Sequence, residues 1–307
     1  MSSSPDPLQT MRFERTASAA ACDPAGGRAQ PPQDGAAAGC AAWRPTPAIK
    51  ATLAWHAGAG ALTALAPSLW PWSLAAVAAN HLLLTAAGLW PRSSLLGPNL
   101  VRLPAAAIVR RQMALTFDDG PDPESTPRVL DLLDAAGWRA SFFCIGRHAR
   151  RYPALMREIV ARGHRVENHG DTHTMAFATY GSRRLRTDIR AAQDTLTDLT
   201  GQRPRFFRPL GGLRSPLLDP VLAQLDLQLA CWTRRGFDSV ERDPQRVYRR
   251  LVRGLAPGDI LLLHDGYAAR TSRGESVALV VLPWLLAALR EAQLQPVPLA
   301  EAVPKKE

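Results

Sequence analysis

From residue 113 onward, short β-rich runs alternate with stretches of helical period, and that alternation restricts the chain to very few folds. The strand-like runs fall at 113–116, 140–145, 165–167, 205–207, 228–232, 260–263 and 295–298. Between them, helical spacing appears at 127–136, 153–162, 183–199, 216–225, 244–252 and 277–292. Pro127, Pro153, Pro216 and Pro244 stand at the start of four of these stretches, where a missing N–H costs no helical hydrogen bond. Strand, helix and strand in repetition build a parallel α/β architecture, either a barrel or an open sheet. At 307 residues the chain holds one domain of barrel size, which takes roughly 250 residues, plus an accessory segment.

The accessory segment precedes the alternation. Residues 51–91 contain no Asp, Glu, Lys or Arg and are split by Pro67 and Pro71. Each half approaches the roughly 20 residues needed to cross a bilayer. Trp55, Trp70, Trp72 and Trp90 lie near the ends, as interface anchors do, and Gly58 and Gly60 allow close helix packing. Residues 48–91 therefore read as a two-pass transmembrane hairpin in a bacterial inner membrane. The competing readings are a buried helical pair, because His56, Asn80 and His81 are costly in lipid, and a signal peptide, which fits poorly because its apolar core would lie far from the N-terminus and be followed by a second. Arg28, Arg44 and Lys50 precede the hairpin, and Arg92, Arg102, Arg110 and Arg111 follow it. The positive-inside rule then places both ends and the α/β domain that follows on the cytoplasmic side. Residues 1–47, rich in Ala, Pro and Gly, read as a disordered tail, 92–112 as a linker, and 301–307 as a second tail.

The formal charge of +10 is carried almost wholly by arginine, since Lys50, Lys305 and Lys306 are the only lysines. No dense basic run is interleaved with aromatics, so a nucleic-acid partner is not expected. Cys22, Cys40, Cys144 and Cys231 show no CxxC spacing; Cys144 and Cys231 sit in apolar runs and read as buried thiols.

Five segments place polar groups directly after strand-like runs. Leu115-Thr-Phe-Asp-Asp-Gly-Pro ends a strand in two adjacent carboxylates, Asp118 and Asp119. Val166-Glu-Asn-His-Gly-Asp-Thr-His carries His169 and His173 four apart; on a helical turn both rings would face one metal ion, with Glu167 and Asp171 as further possible ligands. Phe206-Phe-Arg-Pro ends in Arg208, Cys231-Trp-Thr-Arg-Arg-Gly-Phe-Asp leads to Asp238, and Ile260-Leu-Leu-Leu-His delivers His264. Taken singly, Asp-Asp-Gly-Pro is also a good turn, and Arg208 or Asp238 a structural ion pair. Together they put the groups that metal-assisted hydrolysis requires at the strand ends where α/β active sites lie. Asp122 and Glu124 suit the start of the next helix, and His148 and His164 are assigned no role.

In the order and spacing of these five segments, residues 113–300 resemble the polysaccharide deacetylases, also called the NodB-homology domain or carbohydrate esterase family four. The resemblance implies a distorted, incomplete barrel of the (β/α)7 type and a divalent metal ion, usually Zn2+, held by Asp119, His169 and His173. It implies that Asp118 is the general base, that Arg208 pairs with and orients it, and that His264 is the general acid held by Asp238. The backbone N–H of Leu210 would receive the oxyanion, and Trp232 or Phe237 would replace the apolar surface of the family's usual tryptophan. Two departures stand out: Pro-Leu-Gly-Gly replaces the family's usual Pro-Pro-Tyr-Gly, and Ser239 stands where a tryptophan is usual.

The implied function is hydrolysis of the N-acetyl or N-acyl group of an amino sugar in a polysaccharide, oligosaccharide or lipid-linked saccharide. The partners implied are that glycan and the membrane. A non-sugar amide or imide on the same scaffold is the alternative substrate. A membrane-anchored carbohydrate-binding pseudoenzyme is the alternative of another class, and it would have lost a ligand, the base or the acid.

Overall fold

The computed structural model describes residues 43–305. Arg28, Cys22, Cys40, Lys306 and all but the end of the 1–47 tail lie outside the described residues. In chain order the strands are β1 (Gln112–Asp118), β2 (Ser141–Cys144), β3 (Arg165–Asn168), β4 (Phe206–Phe207), β5 (Gln228–Leu229), β6 (Arg234–Arg235), β7 (Ile260–His264) and β8 (Gln295–Pro296). The helices are α1 (Pro47–Leu65), α2 (Trp70–Leu89), α3 (Ala105–Val109), α4 (Thr126–Ala136), α5 (Gly146–Arg151) and α6 (Pro153–Ala161). They continue with α7 (Ser182–Thr200), α8 (Leu218–Gln224), α9 (Pro244–Val252), α10 (Val277–Glu291) and α11 (Leu299–Ala302).

β1 is central because its run Met113-Ala-Leu-Thr-Phe is buried on both faces, as a parallel strand between two layers must be. It pairs in parallel with β2 and β7, and at its start with β8. The spatial order is β5-β4-β3-β2-β1-β7-β6. Strand alternation then sorts the side chains. Met113, Leu115 and Phe117 join the core shared with Leu130 and Leu133 of α4 and Leu282 and Leu285 of α10. Phe117 stacks on Phe142 with ring centroids 5.1 Å apart. Each such buried aromatic or leucine contributes about 1.5–3 kcal/mol. The alternate set, Ala114, Thr116 and Asp118, faces the other way, and Ala114 packs with Phe143, Phe206 and Leu262.

The result is a half-barrel of parallel strands, in keeping with the incomplete (β/α)7-type barrel that the resemblance implies. β4, β5 and β6 are two residues each, too short to carry a ladder around to closure. Between edges β5 and β6 the preceding chain fills in: Leu100 bridges Ala230 and Arg102 bridges Asp259. Residues 92–112 thus contribute α3 and two bridges to the domain, and the C-terminal chain adds α11, whose Glu301 pairs with Arg139. β6 escapes the sequence reading because Arg234 and Arg235 show no apolar alternation.

α1 and α2 pack side by side as an antiparallel hairpin. Its polar groups face each other: His56 Nε2 lies 3.2 Å from His81 Nε2, and Thr52 donates to Asn80 Oδ1 at 3.3 Å. Apolar side chains point outward, with Leu65 87%, Trp72 73% and Leu82 72% exposed, which removes the reading of a buried helical pair. Among the described residues one helix, Pro67–Leu89, is long and apolar enough to cross a membrane; α1 falls short of that measure. The hairpin is docked on the catalytic domain. Arg214 N donates to the Gly88 carbonyl at 3.1 Å, an approach so close that any Cβ at Gly88 would strike the Arg214 carbonyl.

Candidate active site

The inner face of β1 and the C-terminal strand ends converge on one buried cluster. Asp118 ends β1 opposite Phe143 of β2 and His264 of β7 in the ladder register. Arg208, fully buried just after β4, donates Nη1 to Asp118 Oδ1 at 2.6 Å and to Thr116 Oγ1 at 2.9 Å. Its Nε and Nη2 donate to the carbonyls of Ala230 and Cys231, both at 2.9 Å, and its guanidinium lies 3.9 Å from the Phe143 ring centre. Every arm of the fork is thus fixed, and one oxygen of Asp118 with it.

Asp119 leaves the strand with φ 76°, and His173 adopts φ 48°, both in the left-handed region that non-glycine residues seldom occupy. Asp119 Oδ1 lies 3.2 Å from His169 Nε2 and 2.8 Å from His173 Nε2. Burial raises the Asp119 carboxyl, but the two imidazoles outweigh it and hold the group well below the usual carboxylate range. For His169, burial lowers the ring, and the Asp118 and Asp119 carboxylates overcome that and raise it. The four-residue spacing does not come from a helical turn, since residues 169–173 form a loop. Gly170 takes φ 81° there, and Asp188 of α7 accepts the N–H groups of Asp171 and Thr172 at 3.0 and 3.2 Å. Asn168 Oδ1 accepts Gly170 N at 2.8 Å.

His264 stands on the other side of Asp118. Asp238 accepts its backbone N–H at 2.8 Å and its Nδ1–H at 2.9 Å, so orientation and tautomer are both fixed. Burial alone lowers this imidazole, but the Asp238 carboxylate, aided by Asp119 and Asp118, carries it up to about 9.

Leu210 opens a 3-10 turn running to Gly212, so its N–H has no partner within that turn. Trp232 is buried, with its ring centre 5.7 Å from the Arg208 guanidinium, whereas Phe237 is exposed. Glu167 and Asp171 are not part of the cluster. Glu167 accepts the N–H groups of Arg205 and Phe206, and burial pushes it up to about 7; Asp171 is clamped by Arg150 at 2.7 Å.

Cation binding fits these residues. One donor atom each from Asp119, His169 and His173 lie within 4.8 Å of one another. Asp119 Oδ1 and His173 Nε2 are buried without an assigned hydrogen bond, and a bound cation would satisfy both. His169 Nδ1–H donates to the Arg208 carbonyl at 2.7 Å, leaving Nε2 as the lone-pair donor. Two histidines and one carboxylate also leave positions open for water and substrate.

Several supporting residues escaped the sequence reading. Besides Asp188 and Asn168, Tyr267 stacks near His173, with centroids 6.0 Å apart, and meets His148 Nε2 at 3.1 Å. His148 Nδ1 donates in turn to the Asp119 carbonyl at 3.1 Å. Asp265, beside His264, is buried, which raises it to about 7 even though Thr126 donates to it at 2.6 Å. A charged residue on the apolar face of the 183–199 pattern was the one readable signal, and it marks Asp188.

Residues 108–230 match the family model described as polysaccharide deacetylase. A peptidoglycan-N-acetylglucosamine deacetylase of Bacillus cereus is 31% identical over 171 residues, 55% of this chain and 79% of that protein. The chain belongs to the polysaccharide deacetylase family. A second member, a chitooligosaccharide deacetylase of Bradyrhizobium, is 32% identical over 199 residues, 61% of this chain and 90% of the relative. A family 4 carbohydrate esterase pseudoenzyme of Bacillus anthracis shares the fold, with a TM-score of 0.60 at 23% identity over 70% of this chain and 72% of that one. Membership makes the chain a carbon–nitrogen hydrolase of the polysaccharide deacetylase kind. The matched segment of this deacetylase ends before Asp238 and His264, which reach the cluster through β6 and β7.

Proposed function

We propose that this enzyme hydrolyses the N-acetyl group of an amino sugar, with a divalent cation, Zn2+ by donor set, held by Asp119, His169 and His173. The observation that carries the reading is the flanking of that triad by two differently held groups: Asp118 fixed by Arg208, and His264 fixed by Asp238. When bound, the cation would polarise the amide carbonyl and acidify the attacking water. Asp118, with its other oxygen 3.9 Å from His169 Nε2, takes the proton of that water. His264, charged below about pH 9, gives a proton to the departing amine as the carbon–nitrogen bond breaks, so water and amide become acetate and free amine. The Leu210 N–H receives the developing oxyanion, and Trp232 walls the acyl side.

The substrate reading draws on the relatives, whose names specify peptidoglycan N-acetylglucosamine and chitooligosaccharide. The pseudoenzyme alternative would require loss of a ligand, the base or the acid, and all of these stand assembled here. The outward apolar face of α2 supports attachment to a membrane. α1 packs antiparallel on α2 and would cross with it, Thr52 and His56 turned toward Asn80 and His81 inside the hairpin, in a two-pass arrangement with basic flanks on the cytoplasmic side. Such a placement favours a lipid-linked saccharide over a distant glycan. Acetate release from defined acetylated sugars, with and without chelator, tests the reading.

A further inference from the structure

A groove of about 820 Å³ runs between the end of α2 and β6. Trp90 and Arg92 form one side of it, and Trp232, Arg235 and Phe237 the other. Arg234 and Arg250 also reach it but are already neutralised, by Asp259 at 2.5 Å and Glu241 at 3.2 Å. Arg235 differs. Its guanidinium lies 5.3 Å from the Trp232 ring centre and 4.9 Å from that of Phe237, and its Nε is buried without a hydrogen bond. Arg92 makes a single long contact, to the Thr233 carbonyl at 3.4 Å. Among the described residues, no carboxylate lines the groove and neither Arg92 nor Arg235 has a carboxylate partner.

We propose that this groove binds the phosphate of a membrane lipid that carries the amino sugar, an inference that rests on the deacetylase reading above. An arginine stacked between aromatic rings is pre-organised to present its fork to an anion, and an unpaired one awaits that anion. The anion is attached to a hydrocarbon chain because the groove continues the exposed apolar face of α2, where Leu82 and Leu89, seven residues apart on one side of the helix, are more than half exposed. A tail lying along that face brings its phosphate to Arg92, beside the aromatic ring of Trp90, at the level where interface residues sit. The sugar then lies next to the chemistry. Phe237 directly precedes Asp238, which holds His264, and the Trp232 ring faces both the groove and Arg208.

The test uses the full-length protein in phosphatidylcholine nanodiscs. Farnesyl phosphate should bind, farnesol and inorganic phosphate should bind at least about tenfold more weakly, and Arg235→Gln and Arg92→Gln should each weaken farnesyl phosphate by about tenfold. Farnesol binding as tightly as the phosphate, or variants binding as tightly as wild type, overturns the proposal. Inorganic phosphate matching farnesyl phosphate also overturns it, since the site would then take any phosphate. A second arm compares kcat/KM on N-acetylglucosamine linked to farnesyl phosphate with that on tri-N-acetylchitotriose. Arg235→Gln should lower the ratio of the two by about tenfold, and an equal loss on both substrates contradicts a lipid-phosphate role. If wild type hydrolyses neither substrate, the deacetylase reading fails, and the binding arm still decides the groove.

Discussion

His173 Nε2 lies 2.8 Å from Asp119 Oδ1, and both atoms are buried without a hydrogen bond. Two groups in this position are stable together only if a proton or a cation sits between them, and a third donor, His169 Nε2, is 3.2 Å from the same oxygen. The left-handed backbone at Asp119 and His173 aims both side chains inward, so the fold maintains local strain to assemble the triad.

Zinc should therefore stabilise the folded chain measurably. At a free concentration of 100 times its Kd, a ligand of the native state adds about 2.7 kcal/mol. Thermal melting with zinc and with chelator should show that increment for wild type and its loss in His173→Ala. Equal melting of wild type in both conditions would show that the triad is not a cation site.

Arg208→Lys should behave as a severe substitution despite conserving charge. A lysine cannot reach Asp118, Thr116 and the carbonyls of Ala230 and Cys231 at once, so buried acceptors lose their donors. Removing one partner of a buried pair costs about 3–5 kcal/mol, and urea unfolding of Arg208→Met should show a loss in that range, with Arg208→Lys losing at least half as much.

The His264–Asp238 pair makes stability depend on pH with a definite sign. The folded imidazole titrates at about 9 against an ordinary 6.5, so its stabilisation is complete below about 6.5 and is lost as pH rises through about 9. In chelated protein, histidine NMR should find one ring titrating near 9. Asp238→Asn should lower that ring's pKa, because burial is then opposed only by the more distant Asp119 and Asp118. A ring that titrates near 6.5 in both proteins would remove the proton donor from the mechanism.

Gly88→Val should disturb the site from outside it. Its side chain would strike the Arg214 carbonyl, and residues 210–214 also carry the Leu210 N–H and Gly212, which packs against Pro91 and Trp232. Hydrogen exchange should speed up selectively across residues 210–215. Unchanged exchange there would separate the hairpin from the site.

The parallel α/β class and the positions of Asp118, Asp119, His169, His173, Arg208, Asp238 and His264 were legible because each ends or follows a strand-like run, and strand ends are where such folds gather chemistry. The incomplete closure was legible only through the family resemblance; the residues alone hide it, because strand pairing at β5 and β6 depends on the distant bridges at Leu100 and Arg102. The loop geometry at residues 169–173 was hidden for the same reason: spacing alone suggested a helical turn, while the actual path is set by Asp188, on a helix packed beside it. The pairing of Thr52 with Asn80 and of His56 with His81 could not be read from residues about one hairpin apart. Their polarity argued against lipid until the pairing was seen.

The most direct test of the central claim is acetate release from N-acetylglucosamine oligomers and from a lipid-linked acetamido sugar by zinc-loaded protein, chelated protein, His169→Ala and Asp118→Asn. Expected is zinc-dependent release that chelator abolishes and that each substitution lowers by roughly 10²-fold or more, with zinc still bound by Asp118→Asn. Release that persists in chelator or in Asp118→Asn, or no release from either sugar by protein holding one zinc per chain, would contradict metal-dependent sugar deacetylation.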